Sequence, residues 1–259
     1  VPAGVAARRY AGPMDTTTPD NDSLLAGIES AAAGFREELE VLTDASVGRS
    51  SLLPDWTRGH VLAHVAGVCD GMARQLEYAG RGERIELYDG GQEGRNRAIE
   101  EGAGASADEH RERVGAALDR ALAAFRRLDG DAWQRPISYR DGVVRDGGLA
   151  LWRELVIHRS DLGTGATQHG WDEGFCEHVL GFLAPRVPEG MAFRLHAEGR
   201  DAVVLGGGAE TVDVYGRLGD LAAWLAGRPV DHAAVRAERG GEAVSLPEIG
   251  PWPSPAAAK

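Results

Sequence analysis

A chain of 259 residues with 43% hydrophobic content is long enough for one large domain or two modest ones with packed cores. Its net charge of -12 and pI near 5.1 argue against a phosphate-binding face, which needs clustered positive charge, so nucleic acid is not an expected partner. No apolar run approaches the ~18 residues of a membrane span, and the opening VPAGVAARRYAGPM lacks a signal-peptide core, so neither a membrane nor export is expected.

In chain order, residues 1–21 are rich in small residues, Thr, Pro and Asp, and are expected to form a disordered leader outside the fold. From Ser23 to Leu42 the apolar positions Leu24, Ile28, Phe35 and Leu39 recur at helical spacing, with Asp22 or Ser23 as the cap. A second helix starts at Asp55 or Thr57, carries Val61, Leu62, Val65, Val68, Met72 and Leu76, and stops at Gly80 and Gly82. A short helix is expected around Arg95 to Glu101. Ser106 and Glu109 form a capping box that opens a third long helix to Leu128. A fourth runs from Leu149 to Leu162, ended by Gly163, and the four together predict a bundle over 22–163 with one or two longer connections.

The polar, Gly-rich stretch 164–174 reads as a linker. Beyond it, a helix from Phe175 to Val187, three β-like runs (MAFRLHAEG, AVVLGGG, ETVDVYG) and the helix GDLAAWLAGR predict a small α+β domain over 175–247. Residues 248–259 form a Pro/Ala-rich tail. Gly206 to Gly208 follow a strand without dinucleotide-fingerprint spacing and are expected to make a hairpin turn.

Composition narrows the chemistry. Lys259 is the only lysine, which removes Schiff-base and phosphate-loop lysines and matches the codon bias of a GC-rich genome. Cys69 and Cys176 stand far apart and outside any CxxC, so neither a disulfide framework nor a cysteine-rich metal site is indicated and a reducing cytoplasm fits. Cys69 reads as a small buried thiol and His196 as a structural strand residue. What remains is a pair of helical spacings: His60 and His64 on the second helix, Glu154 and His158 on the fourth. Residues four apart share a helix face, so two facing helices can bring these nitrogen and oxygen donors to one point. Either spacing alone arises by chance, but the flanking Leu62, Val65, Leu155, Val156 and Ile157 imply burial, where a carboxylate needs a cation beside it.

The stretches SLLPDWTRGHVLAHVAG and WRELVIHRSDLG, with YDGGQEGRNRAIE, VYGRLGDLAAWLAGR and LPEIGPW in the same order, resemble the mycothiol-dependent maleylpyruvate isomerase family from about Ser23 to Trp252. The resemblance implies a DinB-like four-helix bundle followed by a small C-terminal α+β domain. It also implies zinc or a similar divalent metal on His64, Glu154 and His158, with His60 as a neighbouring residue of the cofactor pocket. It links Arg95 and Arg228 to the thiol cofactor or to substrate carboxylates, which a guanidinium fork suits, and sets Asp161 to orient a ligand imidazole. The implied cofactors are the metal and mycothiol, and the partners a low-molecular-weight thiol and an electrophilic small molecule, on a monomer or weak oligomer. The implied reaction is cis–trans isomerisation of maleylpyruvate to fumarylpyruvate. Two readings stay open beside it: a mycothiol S-transferase, and a non-catalytic binding module with a structural metal.

Overall fold

The computed structural model of the chain describes residues 8–10, as backbone, and 19–253. Two compact units divide it between Thr167 and Gln168.

The first unit holds α1 (Asn21–Glu40), the one-turn α2 (Asp44–Val47), α3 (Arg58–Ala79), α4 (Gly91–Gly102), α5 (Ala107–Arg126) and α6 (Val144–Asp161). α3 packs on α5 and α6, and α1 packs on the same two, so α1, α3, α5 and α6 form a four-helix bundle with α1 diagonal to α3. The apolar positions read at helical spacing meet in its core: Leu24, Ile28 and Phe35 face Leu62, Met72, Phe125 and Leu155, all fully buried. Burial of each such side chain contributes about 1.5–3 kcal/mol. The capping box of α5 forms as the sequence implies, with the Ser106 N–H donating to Glu109 Oε2 (2.8 Å) and the Glu109 N–H to Ser106 Oγ (3.3 Å).

α6 begins at Val144, ahead of the expected Leu149. Gly147 and Gly148, poor helix formers by propensity, are helical here and serve packing. A Cβ on Gly147 would lie 2.6 Å from Met72 Sδ, and one on Gly148 3.2 Å from Leu24 Cδ2 and Phe125 Cε1. α6 therefore sits tight against its neighbours at a stretch where an added side chain would make Met72, Leu24 or Phe125 shift.

In the second unit α7 (Glu173–Leu183) starts at its Asp172 cap and gives way to a 3-10 turn at Ala184–Arg186, short of the expected Val187. Pro185 lacks the N–H needed to continue it. The sheet comprises β1 (Arg8–Tyr10), β2 (Met191–Ala197), β3 (Val203–Gly206), β4 (Glu210–Gly216), β5 (Arg236–Arg239) and β6 (Glu242–Val244), with α8 (Leu218–Leu225) between β4 and β5 in the chain. The strand order is β1-β3-β2-β4-β5-β6.

Three features differ from the sequence reading. Residues 8–10 of the opening segment form an edge strand parallel to β3, and its end joins α1, with Asp20 as the cap in place of Asp22 or Ser23, whereas 1–7 and 11–18 lie outside the described residues, as do 254–259 of the tail. Gly206 to Gly208 do not make a hairpin, because β3 and β4 lie on opposite sides of β2 and the chain must cross the start of β2. A Cβ at Gly208 would sit 1.9 Å from the Gly190 carbonyl carbon, so only glycine makes that crossing. The hairpin β5–β6 was not anticipated. Its turn is Gly240–Gly241, at φ 60 and 87, the left-handed pair that two-residue hairpins favour.

Candidate metal centre

α3 and α6 are fixed to each other near the site by one side chain. Arg58, the first residue of α3, donates from Nε to the Leu162 carbonyl (2.7 Å) and from Nη2 to the Gly163 carbonyl (2.8 Å). It places a cation at the negative end of α6. The Leu52 N–H adds a bond to the Asp161 carbonyl (2.8 Å). With α3 packed on α6, His64 faces Glu154 and His158.

Three donor atoms converge there. His64 Nε2 lies 2.9 Å from Glu154 Oε2 and 3.1 Å from His158 Nε2, and His158 Nε2 lies 3.0 Å from the same carboxylate oxygen. Among the described residues this is the one group of three or more His, Cys, Asp or Glu so arranged. Tetrahedral bonds of about 2.0–2.1 Å give ligand–ligand edges of about 3.3 Å, so the triangle fits a small divalent cation with a small adjustment. Two imidazoles and one carboxylate are a donor set for such ions.

The surroundings set the electrostatics. Burial holds the His64 imidazole below its ordinary pKa, against the hydrogen bond to Glu154. Burial works to raise the Glu154 carboxyl, yet the hydrogen bonds from His158 and His64 overcome it and keep the group well below the usual carboxylate value. For His158 burial works downward, and the hydrogen bonds to Asp161 and Glu154 push the imidazole up to about 9. Asp161 is fully buried and its Oδ2 accepts from His158 Nδ1 at 2.9 Å, which aims Nε2 at the cluster.

His60 does not join the cluster. It is the third residue of α3, and its Nδ1 meets the Thr57 N–H (3.2 Å) and Oγ1 (2.7 Å), closing the N-terminal cap, while Nε2 lies 3.5 Å from Glu100 of α4. Trp56 stacks on His60 and meets His64 edge-on at 5.6 Å between ring centres. Arg95, on α4, reaches His64 Nδ1 with Nη2 at 3.2 Å. Arg228 belongs to the second unit. Its N–H donates to the Ala223 carbonyl and its Nη1 to that of Ala226, each at 2.9 Å, with the guanidinium 5.9 Å from the Trp252 ring centre.

Two residues near the centre were not singled out by sequence reasoning. Tyr88 lies under the Arg95 guanidinium at 6.0 Å, its phenol pushed up to about 12 by burial. Arg153, beside Glu154 in the chain, is buried, and that burial lowers its pKa. An arginine inside an apolar helical run was the available signal. Cys69 is fully buried with its thiol pushed upward by burial, as expected of a packing residue. His196 pairs with Asp213 (2.6 Å) within the sheet and stacks on Tyr215.

Facing helices of a bundle that bring two imidazoles and a carboxylate within 3.1 Å of one another form a group that could hold a metal ion. Residues 28–163 match the mycothiol maleylpyruvate isomerase N-terminal domain and residues 170–248 the C-terminal domain of the same family, and the chain belongs to that family. The fold is similar to the crystal structure of a mycothiol-dependent maleylpyruvate isomerase, at TM-score 0.80 and 25% identity over 92% of this chain and 100% of that one. It is similar also to a histidine-to-alanine mutant of such an isomerase, at TM-score 0.79 and 24% identity with the same coverage. No curated protein matches the chain. No helix among the described residues is long and apolar enough to cross a membrane.

Proposed function

We propose that this chain is a mycothiol-dependent isomerase that converts maleylpyruvate to fumarylpyruvate, with His64, Glu154 and His158 holding a zinc ion. The observation that carries the reading is the three-donor triangle, one ligand short of a closed tetrahedral site, in a member of this family. Structural zinc takes four protein ligands, whereas three leave a position for a reacting group, which favours an enzyme over a binding module with a structural metal. When bound, the metal lowers the pKa of a thiol at that position and supplies a thiolate near neutral pH.

With the thiol as nucleophile, the remaining steps balance without an oxidant or a reductant. A thiolate supplied by mycothiol would form a carbon–sulfur bond at one end of the cis double bond, with the displaced π pair held on the conjugated carbonyl as an enolate. The former double bond, then single, would be free to rotate. Return of the pair would restore the double bond in the trans form and break the carbon–sulfur bond, leaving thiol and substrate mass unchanged. Arg95 and Arg228 are assigned to the thiol cofactor or to substrate carboxylates and to the enolate charge, for which donor forks are suited. Asp161 orients His158. His60, engaged with Thr57 and Glu100, has a capping role in this reading in place of the cofactor contact expected of it. The assignment puts the reaction in the cytoplasm, where the thiol pool is reduced.

The test is product analysis with mycothiol and maleylpyruvate. Release of the trans isomer at unchanged mass, with little turnover when glutathione replaces mycothiol, is the expected outcome. Accumulation of a conjugate carrying the thiol's mass identifies an S-transferase instead. Tight binding of a small molecule with no thiol-dependent turnover identifies a binding module.

A further inference from the structure

His64 and His158 both turn Nε2 to the centre, but different groups stand behind their Nδ1 atoms. Behind His158 is Asp161, an acceptor, which takes the Nδ1 proton and leaves the Nε2 lone pair for a metal. Behind His64 is Arg95, with Nη2 3.2 Å from Nδ1. A guanidinium has only N–H donors and stays charged. It hydrogen-bonds to Nδ1 only when that nitrogen carries no proton, and a neutral imidazole then carries its proton on Nε2, directed at Glu154 Oε2 2.9 Å away. An imidazole that gives its Nε2 lone pair to a metal keeps its proton on Nδ1, where it would face Arg95 donor to donor. The Arg95 contact and a metal bond thus exclude each other on a neutral His64.

We propose that Arg95 and the metal compete for His64, so that metal loading releases the guanidinium and makes it available to a carboxylate of the substrate. The proposal rests on the metal reading above. The other contacts of Arg95 suit such a release: exposed Asn96, whose Oδ1 accepts at 3.0 Å, and the Tyr88 ring, neither of them a carboxylate that would hold the cation in place. Metal occupancy then precedes anion binding, and the charge is offered only when the activating metal is present.

The experiment uses the full-length protein, stripped of metal and then titrated with zinc. Imidazole nitrogen NMR, with the His64 signals assigned by their loss in His64→Gln, is expected to show the His64 proton on Nε2 in stripped protein and on Nδ1 after loading. Arg95→Met is expected to bind zinc about tenfold more tightly than the wild type, the weight of one charge-assisted hydrogen bond removed from the metal-free side. A residue that merely supports the site would move affinity the other way. Succinate, an unreactive dicarboxylate, should bind zinc-loaded wild type about tenfold more tightly than stripped protein or zinc-loaded Arg95→Met. A stripped protein with the His64 proton already on Nδ1, zinc affinity unchanged or weakened in Arg95→Met, or equal succinate binding by all three forms overturns the competition alone. Wild-type protein that takes up no zinc overturns the metal reading and the proposal with it.

Discussion

In the second unit two carboxylates that are buried or half-buried pair with neighbouring side chains. Asp220 accepts from Gln168 (2.8 Å) and lies 3.1 Å from His169, and Asp213 lies between Arg194 and His196 on the adjoining strand. In the helical unit His64, Glu154 and His158 come from two helices and crowd one another within about 3 Å, with two imidazole nitrogens face to face. Pairs of the first kind set a donor against an acceptor and converge on no common centre. A cluster of the second kind, whose lone pairs point at a common centre, is stabilised by a cation placed among them.

The largest effects should fall on that cluster. His64→Ala or His158→Ala is expected to abolish metal retention, read by metal analysis of purified protein, while His196→Ala leaves it intact. His60→Ala should keep the metal and lose about 1 kcal/mol of stability through the damaged cap; loss of metal in that variant would undo the ligand assignment. A piece spanning 20–167 should retain metal when separated from the rest, since all three donors lie within it. Metal recovered only with the intact chain would erase the contrast between the units.

Smaller changes sharpen the comparison. Asp161→Asn should weaken metal binding by about 10–100-fold, because the amide presents its acceptor and donor less selectively to His158 Nδ1. Arg228→Ala should leave metal content unchanged and lower kcat/KM by about tenfold or more; loss of metal instead would assign Arg228 a structural part in the centre.

The smallest effect concerns His110, buried on α5 outside the cluster. Burial lowers its pKa below 6.5, against a backbone hydrogen bond at Ala103. As the folded-state value is depressed, the unfolded chain binds the proton first. Stability is full above about pH 6.5 and falls as pH drops below it, by at most about 1.4 kcal/mol per pH unit for one proton. Denaturant unfolding between pH 7 and 5 should show a flatter profile for His110→Gln, and an unchanged slope would remove His110 as the cause.

The legibility of the molecule followed local chemistry. The α5 cap was readable because Ser106 and Glu109 act on each other. The candidate donor pairs were readable because residues four apart share one helix face, and the choice of His64 over His60 came from family resemblance. The residues themselves held a further clue: Thr57 three positions before His60 makes that histidine a cap partner. The start of α6 was hidden because Gly147 and Gly148 break helices by propensity, and only the neighbouring helices explain why they are tolerated. The place of β4 on the far side of β2 depends on strand pairing between distant residues, which no short window contains.

Gly147 also bears on which ion the centre can hold. It lies two turns before Glu154 and three before His158, on the face of α6 that meets Met72 of α3 at 2.6 Å from a would-be methyl. A side chain there would have to displace the Met72 thioether, so the glycine lets α6 lie close to α3 along the face that carries the donors. The triangle itself, with edges near 3 Å, suits bonds of about 2.0–2.1 Å and is short for the 2.3–2.6 Å bonds of calcium.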